Sequence, residues 1–182
     1  GCEAEWALDQ GLGDLLTLSR SRRGKLAFMT EPTVLVIEDG NEYLNVLTRF
    51  VSGYRYLQAH DGRTALTFLE QGVAELIYLD MRFDRTQRHL LLGDHSQQTN
   101  KFGGDTERAW QFLEKNQGLF ILNHLSVMGH TSIPVVLSHD FSNQPARWKH
   151  LSTTYPNLSW LPDTVTPENI HEHFAAVLKL DI

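Results

Sequence analysis

From Thr33 onward the apolar positions follow two alternating rhythms, short unbroken runs and stripes at helical spacing. The runs at Thr33–Ile37, 54–59, 76–79, 133–137 and Leu158–Leu161 predict five strands. Between them, Leu44, Leu47, Phe50 and Val51 form one helical stripe ended by Gly53. Ala65, Leu66, Phe68 and Leu69 follow the Asp61-Gly62 turn and stop at Gln71-Gly72. A largely buried helix spans 118–128, with Leu119, Phe120, Ile121, Leu122 and Leu125. A shorter, more polar helix starts at Pro145. Thr166-Pro167-Glu168 opens the last one as cap, first-turn proline and first-turn acid, with Ile170, Phe174, Val177 and Leu178 inward. Strict alternation of this kind predicts a doubly wound, parallel five-stranded α/β sheet covered on both faces.

Two segments stand outside that plan, so residues 1–30 are expected to be an extension and 31–182 the domain. In the extension, Leu8, Leu12, Leu15 and Leu16 mark an amphipathic helix despite Gly11 and Gly13. Arg20, Arg22, Arg23 and Lys25 follow as a basic linker, read as a solvated connector. The second segment is an insertion of about 84–117 after the third strand. Residues 82–104 are polar and read as irregular, whereas 105–116 reads as a helix capped by Asp105, with Trp110 and Leu113 inward.

Composition narrows the function classes. Sixteen Lys plus Arg against 22 Asp plus Glu give a net charge of −6, which offers no electrostatic footprint for nucleic acid. The single cysteine, Cys2, permits no intrachain disulfide or cysteine metal cluster, in keeping with a reducing, cytoplasmic setting. No apolar stretch is long enough to span a membrane, so a soluble protein is expected.

The chemistry lies where two strands end. The first closes on Glu38-Asp39 and the third on Asp80. In an open parallel sheet, ligands bind beyond the carboxyl ends of strands, where strand order reverses, so these acids are expected to converge. Three carboxylates in one crevice either shift upward in pKa or hold a hard cation, and magnesium suits phosphoryl chemistry on one of them. The plain alternative is that the acids cap the helices that follow.

The ordered set Val34-Leu35-Val36-Ile37-Glu38-Asp39, His60-Asp61-Gly62-Arg63-Thr64-Ala65-Leu66, Leu76-Ile77-Tyr78-Leu79-Asp80-Met81-Arg82, Gly118-Leu119-Phe120-Ile121-Leu122, the fourth strand ending at Ser138, and Trp160 resembles the receiver domain of two-component response regulators, the CheY-like, flavodoxin-like (βα)5 module. The resemblance covers residues 32–182 apart from the insertion. It implies Asp80 as phosphoacceptor, with Glu38, Asp39, Asp80 and the backbone carbonyl of Arg82 as magnesium ligands. It further implies Ser138 and Trp160 as the switch pair, and a histidine kinase or phosphotransfer protein plus a downstream protein as partners, with a homodimer left open. The chain departs from the family at two places. Asp163 stands near the end of the fifth strand where the family has a phosphoryl-pairing lysine, and His139 replaces a small residue beside Ser138, where it either obstructs the pocket or donates to a phosphoryl oxygen.

Two readings follow. One is a phosphorelay receiver of atypical design that accepts a phosphoryl group on Asp80 with magnesium; the other is a pseudo-receiver, a phosphorylation-independent interaction module. Neither makes the chain an enzyme beyond self-phosphorylation and slow dephosphorylation. A magnesium-dependent hydrolase ranks third, since no nucleophile and base pair is evident beyond Asp80. His171 and His173 are two apart and cannot chelate together as i, i+4 histidines do; His89, Asp94 and His95 could hold zinc only with a further ligand. Trp110 and Trp148 read as packing residues.

Overall fold

The computed structural model describes residues 31–180. The expected N-terminal helix and basic linker lie outside them. Five strands form one sheet: β1 Thr33–Ile37, β2 Arg55–Ala59, β3 Leu76–Asp80, β4 Val135–Ser138 and β5 Leu158–Leu161. All pair in parallel, in the order β2-β1-β3-β4-β5, so the strand order reverses between β1 and β3. The helices among the described residues are α1 Glu42–Phe50, α2 Gly62–Glu70, α3 His95–Lys101, α4 Thr106–Lys115, α5 Gln117–Val127, α6 Pro145–Thr154 and α7 Pro167–Leu178.

Alternation along the strands builds two cores. Leu35, Ile37, Ile77, Leu79, Val135 and Leu137 face one side with Ala65 and Leu69 of α2, Ile121, Leu122 and Leu125 of α5 and Leu151 of α6. Val34, Val36, Leu76, Tyr78 and Val136 face the other with Leu47 of α1 and Ile170 and Phe174 of α7. Because both faces are covered, the central strands read as unbroken apolar runs. Each fully buried aliphatic side chain contributes about 1.5–3 kcal/mol.

Details of the expected stripes shift. Phe50 is 57% exposed, carrying Arg49 over its ring, while Val51 and Leu47 supply the buried face of α1. The fourth strand begins at Val135 rather than at position 133.

The insertion corrects the expectation of an irregular stretch. Within 82–104 lie a 3-10 turn at Arg88–Leu90 and the helix α3. α3 has no apolar stripe to announce it: only Gln98 is buried, and it is capped by Asp94, whose carboxylate accepts from the Gln97 N–H at 3.0 Å. It holds to α4 through His95 stacked on Trp110 at 3.9 Å and Phe102 edge-on to Phe112 at 5.5 Å. α4 is capped by Asp105 as expected. Buried Gln117 ties the segment to α5, donating to the Leu92 carbonyl at 3.0 Å and accepting from the Leu92 N–H at 2.6 Å.

Candidate functional site

The crevice lies beyond the carboxyl ends of β1, β3 and β4, as strand reversal predicts. Asp80 ends β3 in register with Ser138 of β4. Its Oδ1 accepts from the Arg82 N–H at 3.3 Å. Burial pushes its pKa up to about 7; the N–H groups of Arg82 and Met81 oppose this, and the charges of Asp39 and Asp163 add to it.

α5 closes the back of the crevice. Gly118 donates its N–H to the Met81 carbonyl at 3.0 Å, and a Cβ on it would stand 2.4 Å from the Asp80 carbonyl oxygen and 3.0 Å from Met81 Cα. Only glycine lets the first turn of α5 approach β3 so closely.

The acid pair divides its labour between α1 and the insertion. Glu38 is buried, and its two oxygens accept from the Tyr43 N–H at 2.9 Å and the Leu44 N–H at 2.8 Å, with Gln58 Nε2 at 3.3 Å. Asn41 provides no side-chain cap for α1, so Glu38 satisfies those orphan N–H groups instead. In this arrangement it caps α1. Asp39, with a side chain only 5% exposed, accepts from the backbone N–H of Arg85 at 2.6 Å and has Arg85 Nε at 4.0 Å. The Arg85 guanidinium also reaches Glu42 at 2.8 Å. Any Cβ on Gly40 would meet that guanidinium at 2.6 Å, so the insertion lies directly across the end of β1.

Ser138 is buried and donates its hydroxyl to Asp163 Oδ1 at 3.2 Å; the Tyr43 hydroxyl lies 3.5 Å from the same oxygen. Asp163 thus brings a further carboxylate, not a cation, to the crevice. His139 is half-buried, its N–H donating to the Leu161 carbonyl at 2.9 Å and its ring edge-on to Phe141 at 4.6 Å. Burial, then the charge of Arg147, lowers its pKa and favours the neutral ring. Trp160 packs on Phe141 at 5.8 Å and Trp148 at 6.3 Å, so the aromatic is enclosed by neighbours. The Arg82 side chain pairs with Asp84 at 3.1 Å.

Magnesium was the cofactor expected here, and the arrangement does not fit the expected carboxylate triad. Glu38 is spent on α1, one Asp39 oxygen is taken by the Arg85 N–H, and among the described residues no three His, Cys, Asp or Glu side chains form a metal-holding group. Asp94 is spent as a helix cap, His95 stacks on Trp110, and His173 bonds Ser159 at 2.8 Å. Trp110 and Trp148 are half-buried, as packing residues should be.

Arg85 and Tyr43 are crevice positions that the sequence did not announce, and Gly118, noted there only as the start of a helix, is a close-approach glycine. Gly118 had a detectable signal, a glycine in the first turn of a buried helix that follows the acidic strand end. Arg85 and Tyr43 had none.

No protein-family model matches the sequence, and no curated protein does. Solved structures do match. The receiver domain of the Francisella response regulator 1452 is similar at a TM-score of 0.54 and 15% identity, over 81% of this chain and 97% of that one. The chemotaxis protein CheY4 of Vibrio cholerae is similar at 0.55 and 14%, over 81% and 99%. A CheY-like receiver domain protein of Methanospirillum hungatei is similar at 0.55 and 10%, over 82% and 95%. The described chain therefore has the fold of response-regulator receiver domains. No helix among the described residues is long and apolar enough to cross a membrane.

Proposed function

We propose that residues 31–182 form a receiver-fold signalling module that works as a phosphorylation-independent interaction domain. The Ser138–Asp163 bond carries this reading. The hydroxyl that the receiver resemblance assigns to an incoming phosphoryl group already serves a carboxylate. That carboxylate repels any further anion in a partly dry crevice. Asp80 is a weak nucleophile at neutral pH because burial holds much of it protonated. Arg85, the cation paired with Asp39, is also engaged with Glu42. The module's partners are proteins.

One observation favours the second reading, phosphoryl acceptance on Asp80: the charge of Asp39 still reaches Asp80 across the β1–β3 crevice. That reading requires Arg85 to release Asp39 and a cation to offset Asp163.

The two separate on incubation with a small-molecule phosphodonor and magnesium, followed by intact mass. Wild type is expected to stay unlabelled, and the double variant Asp163→Lys, His139→Ala to gain one phosphoryl group that Asp80→Asn abolishes. Stoichiometric labelling of wild type at Asp80 would overturn the proposed function in favour of the second reading.

A further inference from the structure

Where the insertion meets the body of the domain, α4, α5 and α6 enclose an open groove of about 640 Å³. Its walls are Phe112, Leu119, Phe120 and Tyr155, with Asn116 and Arg147 at the polar end. Phe112 is 37% exposed, although its ring is already edge-on to Phe120 at 6.2 Å. The volume falls in the range of about 300–1,000 Å³ typical of pockets that hold ligands, and the open mouth admits a side chain borne on a polypeptide.

Arg147 gives the groove its chemical preference. Its guanidinium is half-buried and donates to Gln144 Oε1 at 2.9 Å and Asn116 Oδ1 at 2.9 Å, with the Phe141 ring 5.8 Å away. Both hydrogen-bond partners are neutral amides. Among the described residues the ion pairs use Arg82, Arg85 and Arg88, not Arg147, and no residue lining the groove is acidic. Burial lowers its pKa, the sign of a cation short of compensation. In a chain of net charge −6, such a lone arginine at the end of an aromatic groove is the place where an acidic partner gains most.

We propose that this groove docks a partner polypeptide through a large apolar side chain lying beside a carboxylate, the apolar group between Phe112, Leu119 and Phe120 and the carboxylate on Arg147. The surface exists only because the insertion supplies Phe112 and Asn116. It is independent of whether Asp80 is ever phosphorylated.

The test is an amide-resolved NMR titration of the full chain with N-acetyl-phenylalanine and, separately, its neutral carboxamide. Shift changes should centre on Phe112, Asn116, Leu119 and Phe120, with the carboxylate probe binding about five- to tenfold more tightly, as expected for a charge-assisted contact. Arg147→Met, which keeps an apolar stem without the charge, should equalise the two probes. Equal affinities in wild type, changes centred elsewhere, or a preference that survives Arg147→Met would overturn the proposal. An acetylated peptide with one phenylalanine between two glutamates should bind more tightly than the single-residue probe. A peptide no tighter would mark a small-carboxylate site and sink the polypeptide reading. Should Arg147→Met fail to fold, Phe112→Ser at the exposed ring must weaken both probes, and unchanged binding there overturns the proposal equally.

Discussion

Asp80→Asn should stabilise the protein, by an amount that grows with pH. The carboxyl moves from its ordinary 3.8 to about 7 because it is buried among Asp39 and Asp163. Between these values the native chain holds a proton that the unfolded chain has released, so the native state binds more protons and stability falls as pH rises through the window. The loss is absent below the unfolded value and complete above about 7. At 1.36 kcal/mol per tenfold change in proton affinity the ceiling is roughly 4 kcal/mol, and relaxation around a half-buried carboxylate should halve it to ~2 kcal/mol. Asparagine keeps the shape and does not titrate. Urea unfolding of both proteins in chelator, from pH 4.5 to 8, should therefore show the gap opening by ~2 kcal/mol with equal slopes against denaturant. A gap constant across that range, or one that closes toward pH 8, would refute the account of Asp80 as an uncompensated buried acid.

Arg85→Ala should make the thermal midpoint at pH 8 more responsive to millimolar magnesium, with apparent affinity about two- to fivefold above wild type, since an exposed ion pair competes only modestly for Asp39; an unchanged response would show that Arg85 does not guard that acid. Gly118→Ala should destabilise by about 1–2 kcal/mol in urea, because a Cβ 2.4 Å from the Asp80 carbonyl forces α5 off β3 by more than alanine's helix propensity returns; a more stable variant would refute the close approach. Glu38→Ala should cost about 1–2 kcal/mol through loss of the α1 cap, and Glu38→Gln, which keeps one acceptor oxygen, clearly less; equal losses would mean that the cap is not what Glu38 supplies.

What the sequence disclosed and what it hid have physical reasons. The sheet was legible because β1, β3 and β4 are buried on both faces, and such strands must be continuous apolar runs. α4 was legible from its Asp105 cap and from Leu113, which is buried, and Trp110, which is half-buried; the buried Ala109 was not anticipated. α3 was not, since His95, Thr99 and Lys101 hold it by stacking, side-chain polarity and a last-turn charge rather than by an apolar stripe. Asp80 and Asp39 were found as strand-end acids. The contacts of Glu38 were hidden because a buried carboxylate that caps a helix and one that binds a metal look identical until the N–H groups of Tyr43 and Leu44 are located. Arg85 lies 46 positions from Asp39, and no local pattern announces such a pairing.

The placement of charge then separates the fold from the chemistry expected of it. A crevice that signals by gaining an anion needs cations waiting, and in this one the arginine that pairs with Asp39 is already shared with Glu42, while the charges of Asp39 and Asp163 reach Asp80. Its negative group at Ser138 is built in. The same contacts that spend the crevice's polar groups fasten the insertion to it: Arg85 binds Asp39 at one end, Phe83 donates its N–H to the Glu114 carbonyl of α4 at 2.9 Å, and Gly118 seats α5 on β3. The acids thus brace the wall that carries Phe112 and Asn116. On the proposed reading, the crevice therefore also serves as an anchor that holds the aromatic groove in place.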